Sequence, residues 1–257
     1  MRYLFSFVLL SVAMFSCSPN NVEKDNMPEK FFKEKNLTGS FALMNNANKT
    51  FKIYNLSDYK DSAYIPGTAF NIVNGLIAIE NGTITDENSK LSVADSNAST
   101  LKTSIDKNTQ FFDSLSVKTG KEKMQFWLDS LHYGNLKINK LAGFWNDGSL
   151  IITADEQLGL ITGLYFSNLP MQKRTQAVVK GLLHREGNSK YTLGYNKGIA
   201  PHAGGYVAHI NGWIEENKHV YFFSQTTKSP DSTSMIQNSE TLLKSILKEY
   251  GYFEGKK

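Results

Sequence analysis

The stretch that most constrains the fold runs over residues 68–80, Thr-Ala-Phe-Asn-Ile-Val-Asn-Gly-Leu-Ile-Ala-Ile-Glu, directly after the Pro66-Gly67 break. Phe70, Val73, Leu76 and Ile77 recur at three- and four-residue spacing, and Ile72 and Ile79 widen the stripe. A helix apolar nearly all round has no face to give to water. It has to run through the middle of a fold with other elements around it. Asn81-Gly82 ends it. The surroundings are available: of 257 residues, 40% are hydrophobic and 20% charged, with 19 Gly and only 6 Pro. That balance excludes collagen-like and wholly disordered chains and is ample for a buried core.

The flanking sequence alternates between strand and helix patterns. Residues 39–44 and 50–55, on either side of Asn45-Asn46-Ala47-Asn48, read as a hairpin with a longer loop. Residues 85–107 are polar and weakly patterned, as a loop region is. Residues 109–117 and 121–131 look helical, hinged at Gly120. Thr153 and Glu156 form a capping box that starts a helix, and residues 172–184 make another amphipathic helix. Residues 191–195, 204–211 and 219–225 are strand-like, with Glu215-Glu216-Asn217-Lys218 as the last turn, and residues 239–250 are a terminal helix. This order predicts one α+β domain over residues 37–257, an antiparallel sheet flanked by helices plus a helical part. No repeat period appears.

Residues 1–17, MRYLFSFVLLSVAMFSC, begin with basic Arg2, continue as an apolar run, and end with small Ser16 before Cys17. This is a secretory signal, too short to span a bilayer as a stable helix. Its end resembles a bacterial lipobox, which implies that Cys17 becomes the lipidated first residue of the mature chain. An ordinary signal peptide that happens to contain a Cys is the alternative. Residues 18–36 are polar and aperiodic, and suit a flexible tether. The expected location is across the inner membrane, lipid-anchored in the envelope at a periplasmic or outer-membrane face.

Cys17 is the single Cys, so no intramolecular disulfide can form and a zinc site with two thiolates is excluded. Net charge is +4, too small and too scattered an excess to argue for nucleic acid. The five His (132, 184, 202, 209, 219) form no HExxH pair, and neither GxGxxG nor a P-loop is present. No metal and no cofactor is expected.

Several segments in order resemble the class D serine β-lactamases, within the wider penicillin-recognising, DD-transpeptidase-like family. They are Gly39-Ser-Phe-Ala-Leu, Tyr64-Ile-Pro-Gly-Thr-Ala-Phe-Asn71-Ile-Val-Asn74, Leu76-Ile-Ala-Ile-Glu80-Asn-Gly82, Tyr133-Gly134-Asn135, Phe144-Trp145-Asn-Asp-Gly148, Tyr191-Thr-Leu-Gly-Tyr-Asn-Lys-Gly198 and Gly212-Trp213-Ile-Glu215. The resemblance covers nearly all of residues 37–250, and Tyr133-Gly134-Asn135 is the segment typical of class D.

The chemistry departs from the family at each motif that carries it. The family helix opens with Ser-x-x-Lys, in which i and i+3 share a face so that the base reaches the nucleophile. Here those positions are Thr68 and Asn71. Thr keeps a hydroxyl, but an amide has no accessible pKa and cannot serve as general base. The resemblance implies a carboxylated Lys as base, which Asn71 cannot become. Losing a positioned base costs on the order of 10²–10⁴ in rate. At the family's spacing Ser-x-Val falls on Lys107-Asn108-Thr109, with Ser104 three residues early. Lys-Thr-Gly becomes Asn196-Lys197-Gly198, and a one-residue displacement on a strand turns Lys197 to the other face. The N–H groups of Thr68 and Ile199 remain available for an oxyanion hole. Trp145 matches the family Trp that binds the carboxylated Lys, and is expected to be a packed aromatic with its N–H satisfied. Tyr133 and Asn135 shape a turn.

The resemblance and its departures imply a class D β-lactamase-like lipoprotein without efficient hydrolysis, a pseudoenzyme holding a β-lactam, cell-wall peptide or envelope protein in the old cleft. The alternative is an atypical acyl-transfer enzyme in which Thr68 attacks with Lys107 or water as base. The oligomeric state is left open.

Overall fold

The computed structural model describes residues 21–91, 99–107 and 109–257. The leader with Cys17, residues 18–20 and Asn108 lie outside the described residues. The described residues open on strand β1 (Val22–Lys24) and helix α1 (Glu29–Glu34). The expected hairpin follows as β2 (Thr38–Asn45) and β3 (Thr50–Tyr54). Helix α2 (Leu56–Asp61) and β4 (Ala63–Tyr64) lead to a 3₁₀ turn (Gly67–Phe70) and then to α3 (Asn71–Glu80). The helical part is built from α4 (Leu101–Ser104), α5 (Thr109–Thr119), α6 (Lys121–Leu131), β5 (Ile152–Thr153), α7 (Ala154–Phe166) and α8 (Lys173–Leu182). The chain closes with β6 (His184–Gly187), β7 (Tyr191–His202), β8 (Gly205–Glu216), β9 (His219–Ser229) and α9 (Met235–Glu249).

Among the described residues, seven strands form one sheet in the order β1-β3-β2-β9-β8-β7-β6, so strands from early and late in the sequence meet at β2–β9. The β1–β3 pair is parallel and the other pairings in this sheet are antiparallel. Strand alternation sends Phe41 and Leu43 to one face, against Leu242, Leu243, Ile246 and Leu247 of α9. It sends Ala42 and Met44 to the other, into the core shared with α3. Asn71 to Ile79 are all buried, so α3 is the central helix its composition demands.

Four expectations are corrected. The tether expected over residues 18–36 is ordered structure from Asn21 on: Val22 pairs with Phe51, and Phe32 is 1% exposed. Few apolar residues there made the segment look free, yet each is used in a tertiary contact. His184, expected to end a helix, begins strand β6 beside Tyr195. The loop expected over residues 85–107 contains α4, capped reciprocally by Thr100 and Thr103. The β8–β9 turn contracts to Asn217 (φ 47°) and Lys218 (φ 68°), both left-handed as a tight hairpin requires.

Candidate functional site

The 3₁₀ turn lies along the edge of β7 beyond the reach of β6, which pairs only as far as Tyr195. The approach depends on two glycines. A Cβ on Gly198 would stand 2.0 Å from the Ala69 nitrogen, and one on Gly67 2.1 Å from the Ile199 oxygen. Gly67 also has φ +56°, which a side chain would strain. Across this seam the Ile199 N–H donates to Thr68 Oγ1 at 3.1 Å, and Asn196 Nδ2 donates to Ala69 O at 2.9 Å. Gly67 N–H donates to Trp145 O at 3.0 Å. Thr68 therefore stands in the turn rather than in α3, half-buried, with its hydroxyl already on the N–H that would serve an oxyanion.

Asn71, which the resemblance sets at the base position, is 1% exposed. Its Nδ2 donates to Ile105 O at 2.9 Å and to Lys107 O at 3.2 Å. Both amide hydrogens are thus committed, and they tie α3 to the opposite wall. Lys107 enters this arrangement through its backbone, while its side chain is exposed. Ser104, buried at the end of α4, flanks the same segment. Asn71 Oδ1 and Trp145 Nε1 are both buried without a hydrogen-bond partner. That corrects the expectation of a satisfied Trp145 N–H: the indole stacks on Phe70 at 5.4 Å, and Asn71 supplies no group in the place of a carboxylated Lys.

Lys197 faces α9, where its Nζ is 2.9 Å from Glu240 Oε1. Burial alone would raise the Glu240 carboxyl, but hydrogen bonds from Lys197 and Tyr195 outweigh it and hold it below its ordinary value. Asn196, on the other face of β7, is 8% exposed and uncharged, with its amide on Ala69 O. Tyr133 packs edge-on to Phe70 at 5.4 Å, and burial raises its hydroxyl. Gly134 (φ +60°) passes 2.1 Å, at its Cβ position, from the Ile151 oxygen. Asn135 bonds Ser149 O at 2.8 Å and accepts from Ile151 N–H at 3.1 Å. The three residues shape a turn under the cleft.

Two buried polar groupings escaped sequence reasoning because their members are far apart in the chain. Ser224 donates to Asn211 (2.6 Å), Asn211 to Gln157 (2.6 Å), and Gln157 meets His209 Nδ1 (3.1 Å). His209 Nε2 faces the Ile65 carbonyl at 3.1 Å, so Nε2 carries the proton. Burial pushes His209 down to about 4, against the Ile65 hydrogen bond that favours the charged ring. The network thus ends three residues before Thr68. Nearby, Lys228 Nζ bonds Asp58 Oδ1 (2.5 Å) and Tyr64 Oη (2.8 Å). Burial lowers Lys228, but those two partners raise it more. Among the described residues, no group of three or more His, Cys, Asp or Glu is placed to hold a metal ion.

The arrangement keeps a hydroxyl beside a backbone donor. No protein-family model matches the chain. It is 26% identical to β-lactamase OXA-5 of Pseudomonas aeruginosa, over 99% of this chain and 100% of that protein. FUS-1, a class D β-lactamase from Fusobacterium nucleatum subsp. polymorphum, matches in structure with TM-score 0.80 and 26% identity, over 90% of this chain and 100% of the other. The chain is class D β-lactamase-like in sequence and in fold. The C-terminal domain of the Bacillus licheniformis BlaR penicillin-receptor shares that fold, with TM-score 0.79 and 22% identity over 90% of this chain and 97% of that domain.

Proposed function

We propose that this class D β-lactamase-like chain is an envelope lipoprotein that has lost efficient β-lactam hydrolysis and holds a β-lactam or cell-wall peptide non-covalently in the ancestral cleft, beside the seam of Thr68 and β7. The observation that carries the reading is Asn71, whose amide spends both hydrogens on Ile105 O and Lys107 O and, at nitrogen and at Oδ1 alike, is far too weak a base to take a proton from Thr68. The penicillin-receptor domain that shares the fold supports a β-lactam as ligand class. The lipobox-like Cys17 supports attachment to a membrane.

The test is a chromogenic cephalosporin with the full chain and Thr68→Ala side by side. The expected outcome is the same negligible rate for both, together with reversible retention of a labelled penicillin on equilibrium dialysis. Thr68→Ser with Asn71→Lys should remain a poor enzyme, because Asn196 and Lys107 also depart from the pattern and such residues act as a unit.

A second reading rests on the 3.1 Å contact between Thr68 Oγ1 and the Ile199 N–H, which puts the hydroxyl where an acyl-transfer nucleophile is needed. It requires a burst with the cephalosporin that Thr68→Ala abolishes.

A further inference from the structure

One end of the sheet is both basic and the place where the chain enters. Because β1 is parallel to β3, it starts beside the β2–β3 turn. There Asn21 Nδ2 donates to Lys49 O at 2.9 Å, and the Phe51 N–H donates to Asn21 O at 2.7 Å. The β2–β3 turn joins the start of β9 through Asn46 N–H to Val220 O at 3.2 Å. The last residues fold onto the same end. The N–H groups of Phe253, Lys256 and Lys257 converge on the buried Glu216 carboxylate, and Asn217 Nδ2 donates to Gly255 O at 2.7 Å. Gly255 lies against Lys190 of the β6–β7 turn.

Exposed Lys49, Lys190, Lys218, Lys256 and Lys257 are thereby gathered at one end. In the same turns and tail, Glu216 is satisfied by backbone donors and Glu254 is paired with Lys256. The turn at the opposite end, His202 to Tyr206, carries no lysine. A cavity of about 410 Å³ opens at this end, lined by Lys52, Lys257, Glu249, Tyr221, Tyr250 and Tyr252; Glu249 is paired with Lys30, and Lys52 lies 3.7 Å from Glu23 and from Asp25. Tyr is a residue favoured at the membrane–water interface.

We propose that this end of the sheet docks on an anionic phospholipid surface, with the lysines taking headgroup phosphates. The proposal rests on the lipid anchor at Cys17 in the function proposed above. Cys17 precedes Asn21 by four residues, a stretch that reaches at most about 14 Å. The Debye length at physiological salt is about 8 Å, so an anchor on so short a lead holds the turns within or close to the field of the lipid. The cleft, on the half of β7 that runs from Asn196 to His202, then faces away from the membrane.

The test sediments the full chain with vesicles of phosphatidylcholine, or of phosphatidylcholine with phosphatidylglycerol, and reads lysine acylation by mass spectrometry. Each lysine near an anionic surface strengthens binding by about fivefold. Acylation of Lys49, Lys190 and Lys218 is expected to fall severalfold on phosphatidylglycerol vesicles only, with Lys60 on α2 and Lys102 on α4 unchanged. In a Cys17→Ser background, adding Lys49→Glu, Lys190→Glu and Lys218→Glu should weaken binding to those vesicles on the order of a hundredfold. Sedimentation with both vesicles but the same acylation pattern on each overturns the docking and leaves the anchor standing. Sedimentation with phosphatidylglycerol vesicles alone supports the docking and removes the anchor. No sedimentation with either overturns both.

Discussion

Asn71→Asp alters a single group and removes both hydrogen bonds that fasten α3 to the opposite wall of the cleft. The side chain is 1% exposed, so water cannot replace what is lost. Each bond, to Ile105 O at 2.9 Å and Lys107 O at 3.2 Å, is worth about 1 kcal/mol net. The new oxygen faces those carbonyls with no proton to share, and a buried acceptor left unpaired costs about 1–3 kcal/mol. The expected loss at neutral pH is roughly 3–5 kcal/mol. In a chain of this size about 1 kcal/mol moves Tm by about 2–4 °C, so Tm should fall by roughly 10 °C. The introduced carboxyl would have its pKa raised by burial, so the deficit appears as pH rises through the carboxylate range and shrinks as pH falls. Urea and thermal unfolding of parent and variant at neutral and mildly acidic pH measure this. A variant within about 1 kcal/mol of the parent at neutral pH would refute the latch.

Other outcomes follow from the buried charges. His209 is held at about 4 against an ordinary 6.5, so the unfolded ring protonates first. Its stabilising effect is complete above about 6.5 and is lost as pH falls to about 4, by about 3 kcal/mol, so urea midpoints across that window should fall more steeply for the parent than for His209→Gln. Glu216→Ala removes the acceptor for the tail N–H groups, and hydrogen exchange at Phe253, Lys256 and Lys257 should speed up while the sheet stays protected. Lys228→Met strands the buried Asp58 and should cost about 3 kcal/mol in urea unfolding, most of it recovered by adding Asp58→Asn. Equal destabilisation by the single and double variants would show that the ion pair is not what the lysine contributes.

The parts of the fold legible in the sequence are those with local causes. α3 announces itself by apolar residues on nearly every side, the β2–β3 hairpin by its loop, and α7 by the Thr153–Glu156 capping box. β1 and β6 were hidden because Val22-Glu-Lys and His184-Arg-Glu-Gly carry no alternation of their own. They are strands because Phe51 and Tyr195 stand beside them. At the site, the identities at Thr68, Asn71 and Asn196 could be read directly, since missing groups need no geometry. What Asn71 does could not. Its partners are backbone carbonyls, which every residue has, so no side-chain pattern marks them. The network from Ser224 to His209 spans residues 157 to 224 and exists only once β8, β9 and α7 are packed.

The most direct measurement is the intact mass of the full chain after incubation with a penicillin. Without a base for Thr68, the mass should be unchanged, with the penicillin recovered intact on removal by dialysis. A stoichiometric penicilloyl increment that maps to Thr68 would contradict this, and would show that the cleft still acylates without the lysine that Asn71 replaces.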